Sequence, residues 1–320
     1  MTDTRGPLNF AMTGVAGYIA PRHLKAIQDT GNRLVAATDP HDAVGVLDRF
    51  AFDVRFFTEI ERFDRHLDKL RRGPDPHRVH YLSVCSPNYL HDAHVRLALR
   101  VGANVICEKP LVINPWNLDG LKELERETGC RVSTVLQLRL HPDLVALRSQ
   151  LLTQSSRRHA VSLTYVTARG QWYQVSWKGH EDRSGGVVTN IGIHFFDLLL
   201  WLFGPVRSSE VHLRQPVRAA GALELDRADV RWFLSTDPAD LPGVAQPGAA
   251  TFRSIEVDGE EIEFSDGFTD LHTRVYEEVL AGRGFGIDVA RPSVELTSQI
   301  RQAGLTWPTS RAHPKAIAYA

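Results

Sequence analysis

Lys109 stands between Glu108 and Pro110, directly after the short apolar run Asn104–Cys107, so the chain leaves a predicted strand and turns at this lysine. An ammonium so placed can hold a substrate hydroxyl. Burial or a neighbouring cation lowers a lysine pKa toward neutrality, where it can also take a proton. The preceding run, Val79–Cys85, ends in Ser86-Pro87-Asn88-Tyr89-Leu90-His91. In a doubly wound sheet the carboxyl ends of the strands face the ligand crevice, so both segments, Glu108 and Lys109 included, are expected at a cofactor. The first run leads into Gly14-Val15-Ala16-Gly17-Tyr18-Ile19-Ala20 and then a helical pattern. Glycine there permits a tight turn and lets backbone N–H groups approach a pyrophosphate at the positive end of the helix. Only two glycines of that fingerprint remain, and the motif gains weight from Asp39, which ends the second run where a carboxylate accepts from ribose hydroxyls. No arginine follows at Pro40 or His41 to meet a 2′-phosphate, which favours NAD over NADP.

Two further segments carry polar chemistry. In Gly185–Asp197, Asn190 and His194 are four apart; if the stretch is one helix they share a face and can reach one hydroxyl, and the preceding glycines would let the helix start approach a cofactor. Arg169-Gly170-Gln171-Trp172-Tyr173-Gln174-Val175-Ser176-Trp177-Lys178-Gly179 gathers three rings and two cations, suited to a flat base and an acidic group. Read as extended chain, it points Trp172 and Tyr173 to opposite sides, and an ordinary half-buried strand fits equally well.

The elements that must position these residues follow from periodicity. Leu8–Thr13, Arg33–Thr38, Val54–Phe57, Val79–Cys85, Asn104–Cys107 and Val132–Leu138 read as strands, separated by helical patterns at Pro21–Thr30, Glu59–Arg72, Tyr89–Val101 and Trp116–Thr128. Asn88 and Asn114 are expected as helix caps, with Pro115 in a first turn. This is the rhythm of an α/β fold: a Rossmann doubly wound parallel sheet over residues 1–140. After a helix at Pro142–Leu152 the pattern changes to long alternating runs, Ala160–Arg169, Val206–Gln215, Ala219–Ser235 and Thr251–Val257. An open, mostly antiparallel sheet is expected there, in a second α/β domain at 141–320 for substrate binding and oligomerisation. Pro238–Ala250 reads as a loop, Phe268–Ala281 and Arg291–Gly304 as helices, and Leu305–Ala320 as a tail that is disordered or docks on a neighbouring subunit.

The 37 Lys and Arg balance 38 Asp and Glu, so no general field gathers nucleic acid or an anionic membrane, and anionic ligands must meet local clusters. The 14 histidines are scattered without HExxH or Cys/His spacing, so no metal is expected. Cys85, Cys107 and Cys130 form no CxxC pair, which fits a reducing cytoplasm. The start is polar and the apolar stretch Phe195–Phe203 is too short for a span, so neither signal peptide nor transmembrane helix is expected.

Together Gly14–Ala20, Asp39, Cys85–His91, Glu108–Pro110, the strand end Gln137-Leu138-Arg139 and Asn190–Asp197 resemble the Gfo/Idh/MocA oxidoreductases, along nearly the whole chain. Ala16–His23, Cys85–His91, Val105–Leu111 and Gly267–His272 look most like the members that oxidise C3′ of UDP-N-acetyl-2-amino-2-deoxyglucuronate for bacterial surface polysaccharides. The resemblance implies NAD, with Gln137 among its contacts beside Gly14, Gly17, Tyr18, Ile19, Asp39, Ser86, Pro87, Asn88, His91, Glu108 and Lys109. It implies a UDP-linked sugar acid as substrate, 2-oxoglutarate as a possible oxidant of bound NADH, and a homodimer or homotetramer. Lys109, Asn190 and His194 are then the catalytic candidates, and Arg139, Arg169, Trp172, Tyr173 and Lys178 join them at the substrate. Many members carry aspartate four residues before the histidine; Asn190 can orient His194 but brings no charge. Either His194 or Lys109 accepts the hydroxyl proton, with the imidazole preferred because it titrates near working pH. A dehydrogenase of a free sugar or cyclitol, and a non-catalytic NAD-binding sensor, are the alternatives.

Overall fold

The computed structural model describes residues 6–153, 157–243, 250–263, 270–307 and 310–319. The chain forms two units, one of residues 1–137 with 270–291, the other of residues 138–269 with 292–320. The division after residue 140 is therefore not the whole of it, because Asp270–Arg291 returns to the first unit.

In the first unit β1 (Asn9–Thr13), β2 (Arg33–Thr38), β3 (Arg55–Phe57), β4 (Tyr81–Val84), β5 (Asn104–Cys107) and β6 (Val132–Thr134) pair in parallel, in the order β3-β2-β1-β4-β5-β6. Every residue of β1 is buried, as a central strand covered on both faces requires. The strand order reverses beside β1 and β4, which places the switch point at Gly14 and Ser86. Helices Ala20–Asp29, Ile60–Arg72, His91–Arg100 and Asn117–Thr128 form the crossovers. The two asparagines are not at N-cap positions: Leu90 and Trp116 hold those, since a 3-10 turn at Asn88–Leu90 and a turn at Pro115 come first. Val132–Leu138 also shortens, because Gln137–Leu140 is a 3-10 turn.

In the second unit β7 (His159–Thr167), β8 (Val206–Arg214), β9 (Arg218–Leu225), β10 (Ala228–Ser235), β11 (Thr251–Val257) and β12 (Glu260–Glu263) order as β12-β11-β7-β10-β9-β8; the β7–β10 pair is parallel and the others antiparallel. The single run expected over Ala219–Ser235 is a hairpin: both arms are largely buried and apolar, and only Asp226-Arg227 breaks the run. Helix Ile193–Phe203 packs Phe196, Leu199 and Phe203 with Trp232 of β10 in the core. The tail does not hang free where it is described. Leu305 bridges Val211, His313 stacks on Phe233 at 5.6 Å, and Tyr319 hydrogen-bonds Asp240. Residues 308–309 and 320, with 244–249 of the expected loop and Gly267–Thr269 of the family-like run, lie outside the described residues.

Among the described residues no single helix is long and apolar enough to cross a membrane. The bent pair Glu181–Asn190 and Ile193–Phe203, which reaches that length and turns by 43°, lends its apolar side chains to the core of the second unit.

Candidate active site

The glycine turn of the first unit is built for close approach. Gly14 has φ +77°, and a Cβ there would lie 2.5 Å from the Cys85 carbonyl and the Ser86 nitrogen, so only glycine lets the loop lie against the end of β4. Asp39 is fixed beside it: Oδ2 accepts the Ala16 N–H at 3.0 Å and Oδ1 the His41 N–H at 2.9 Å. Gly17, Tyr18 and Ile19 follow in the turn, with Ile19 the N-cap of the next helix and Tyr18 exposed. Gln137 is buried, and among the described residues neither its Oε1 nor Thr13 Oγ1 at the end of β1 has a hydrogen-bond partner. A buried acceptor left unpaired is costly, and a dinucleotide at these strand ends would supply donors. The cradle and these atoms fit NAD.

Ser86 and Asn88 are buried, with Pro87 between them, and Ser86 Oγ lies 2.8 Å from His94 Nδ1. His91 is turned inward: its ring nitrogens lie 2.6 Å from the Pro110 carbonyl and 2.8 Å from that of Ser86, tying one candidate segment to the other, and burial pushes its pKa down. Lys109 is half-buried and followed by a cis peptide to Pro110. Glu108 does not face outward. Its Oε1 meets His23 Nε2 at 2.9 Å and His272 Nε2 at 3.0 Å, while Oε2 accepts the Lys109 N–H at 3.2 Å. Burial alone would raise this carboxyl; the donors His23 and His272 outweigh it and hold it well below the usual range. The expectation of a cofactor contact at Glu108 thus becomes a carboxylate spent on anchoring its own turn.

Sequence reading found no metal set, yet His23, Glu108 and His272 converge from 85 and 164 residues apart. Their spacings are those of direct hydrogen bonds, whereas ligands on a tetrahedral zinc at ordinary bond lengths stand roughly 3.3 Å apart. Nothing local in the sequence announces this convergence, which arises only because helix Leu271–Leu280 joins the first unit.

The second unit holds the other candidates. Gly185 and Gly186 both take left-handed backbone, and the helix that follows stops at Asn190 before a new one starts at Ile193. The single helical face imagined for Asn190 and His194 is therefore broken, and His194 lies in the first turn of the second helix. Gly192 sits at the break because a Cβ would meet the Val188 carbonyl at 2.4 Å and Leu234 at 2.6 Å. These glycines thus serve turns and packing inside the unit. Asn190 is buried, its Nδ2 donating to Tyr173 Oη at 2.5 Å.

Arg169–Gly179 is not a strand. Gln171–Val175 is helical and Trp177–Gly179 a 3-10 turn, so alternation does not apply. Tyr173 is buried and holds Asn190, which removes it as a stacking face; Trp172 stays 55% exposed. Lys178 Nζ lies 4.3 Å from the centre of the Trp177 ring and 5.7 Å from that of Trp172; burial, then the Arg169 charge, lower its pKa. A bound anion would offset that repulsion. Arg139 differs from expectation: its guanidinium fork grips Asp197 through two 2.8 Å bonds, so its charge is matched within the unit. Burial raises the Asp197 pKa against that pairing.

Two family models match the chain. Residues 8–135 match the family model of the oxidoreductase family NAD-binding Rossmann fold, and residues 159–240 match that of its C-terminal alpha/beta domain. The WlbA (WbpB) dehydrogenase from Thermus thermophilus, solved with NAD and alpha-ketoglutarate, is 54% identical, with TM-score 0.93, covering 96% of this chain and 99% of that one. The same dehydrogenase with NAD and UDP-GlcNAcA gives 53%, 0.92 and the same coverage. The D-glucoside 3-dehydrogenase of Escherichia coli is 30% identical over 144 residues, 42% of this chain and 40% of that protein. The chain spans less than half the length of the first curated relatives it matches.

Proposed function

Because the chain belongs to the Gfo/Idh/MocA oxidoreductase family, we propose that it is an NAD-dependent dehydrogenase that oxidises the C3′ hydroxyl of UDP-N-acetyl-2-amino-2-deoxyglucuronate to the 3-keto sugar. The observation that carries this reading is the 53% identity, along 96% of the chain, to a dehydrogenase that binds NAD and UDP-GlcNAcA. NAD, when bound, supplies the hydride acceptor. The residues of this chain bind and orient: the Gly14 turn and Asp39 take the dinucleotide, with Ser86, Pro87, Asn88, His91 and Gln137 around it. Lys109 holds the reacting oxygen and steadies developing alkoxide, His194 takes the hydroxyl proton, and Asn190, held by Tyr173, stands at the end of the helix before it. Positioned base catalysis of this kind contributes about 10²–10⁴-fold. Arg169 and Lys178 meet the acidic groups of the nucleotide sugar, with Trp172 as a ring for the base.

The complex of the Thermus protein with alpha-ketoglutarate supports 2-oxoglutarate as the oxidant that returns bound NADH to NAD. Surface-polysaccharide synthesis, a homodimer or homotetramer, and a cytoplasmic setting, which suits three unpaired cysteines, complete the proposal. The 30% identity to a D-glucoside 3-dehydrogenase, over 42% of this chain, makes a dehydrogenase of a free sugar or another sugar without a nucleotide the rival reading. Calorimetric titration with UDP alone separates the two: saturable binding supports the nucleotide sugar, and none supports the free sugar.

A further inference from the structure

We propose that His23 and His272 are positioning residues for the reaction, acting on Lys109 through Glu108. The proposal rests on the reading of Lys109 given above. Both histidine Nε2 atoms lie at hydrogen-bond distance from Glu108 Oε1, and the other carboxylate oxygen accepts the backbone N–H of Lys109 itself. The network continues behind His23. Its Nδ1 lies 2.8 Å from Tyr276 Oη, which lies 2.6 Å from Ser83 Oγ on β4.

One proton assignment satisfies this whole chain. Ser83 donates to Tyr276 Oη, Tyr276 donates to His23 Nδ1, and His23 and His272 each donate Nε2–H to an ionised Glu108. Burial, which lowers the His23 pKa, favours the neutral ring this needs. The histidines, the tyrosine and the carboxylate are all buried, and the His23 and His272 rings meet edge-on at 5.0 Å. A carboxylate so far from water is held ionised by its donors; remove one and it either protonates or turns, and in both cases Oε2 loosens from the Lys109 amide. The two helices that supply the donors, Ala20–Asp29 and Leu271–Leu280, thus fix the turn that presents the lysine.

The test compares His272→Leu, which cannot donate, with His272→Gln, whose amide can. For His272→Leu, turnover should fall about 10-fold or more while the NAD Kd and the sugar KM stay within roughly 3-fold, and His272→Gln should recover to within about 3-fold of the unaltered enzyme. The Lys109 amide resonance, read by NMR in the NAD complex, should move in the leucine variant and return in the glutamine variant. A folded His272→Leu protein with unaltered turnover and an unmoved Lys109 amide overturns the proposal, and so does a glutamine variant as impaired as the leucine one. Should the leucine variant fail to fold, Tyr276→Phe decides: it keeps the ring, removes the hydroxyl that sets the His23 tautomer, and should lower turnover several-fold. Unchanged turnover there overturns the proposal as well. If the unaltered protein does not reduce NAD with the UDP-sugar acid, the substrate assignment falls, and the amide resonance alone decides the positioning role.

Discussion

Asp39 uses both carboxylate oxygens on backbone N–H groups of its own loop, yet each oxygen keeps further acceptor capacity for a ribose diol. A 2′-phosphate would set its charge against this fixed carboxylate. NAD should therefore bind at least about tenfold more tightly than NADP, or 1.4 kcal/mol; equal affinities by calorimetry would refute this. Proton handling is assigned to Lys109 and His194. Lys109→Ala and His194→Ala should each cut turnover by roughly 10²-fold or more and leave NAD binding within a few-fold, with the double variant losing less than the product. Near-native turnover in either single variant removes that residue from the chemistry. Lys109, Glu108 and Asp39 stood out in the sequence as candidates because each follows an apolar run that the structure shows as a strand, whereas the helix start at Ile193, just before His194, was not visible there. Nor was the service of Glu108 to its own turn, since its partners come from distant segments.

At the scale of elements, apolar runs bounded by polar or turn residues announced themselves: β2, β5 and β11 match their expected limits residue for residue. What failed were short helices beside glycine. Gln171–Val175 is too brief to show a period, and an aromatic pair in it reads as strand until Tyr173 is seen to hold Asn190. The break before Ile193 was hidden for a related reason, because Ile191, Ile193, Phe195 and Phe196 keep the stretch apolar throughout. The helical form strengthens one expectation. With Lys178 over Trp177 and under the influence of Arg169, Arg169→Ala or Lys178→Ala should weaken UDP binding by about 1.5–3 kcal/mol, the size of a lost hydrogen bond to a charged group. NAD binding should stay nearly unchanged, and if both variants hold UDP normally the anions are met elsewhere.

Across the whole molecule, buried histidines set the response to acid. Burial pushes His94 of the first unit down to about 4 and His313 of the second down to about 3. The unfolded chain takes protons near the ordinary 6.5 and the folded protein does not, so stability is full above that value and falls as pH drops below it. Between pH 6.5 and 5 each histidine should remove about 1.5 kcal/mol, seen as a lower urea midpoint. His94→Gln and His313→Gln should each flatten that decline, and an unchanged slope in both would show that other groups dominate. Incubating the purified protein and NAD with UDP-N-acetyl-2-amino-2-deoxyglucuronate tests the proposed reaction itself. This sugar, oxidised at C3′, should reduce the nicotinamide, as followed by its absorbance; reduction by an unlinked sugar or cyclitol, with none by the UDP-linked acid, would rule the proposed function out.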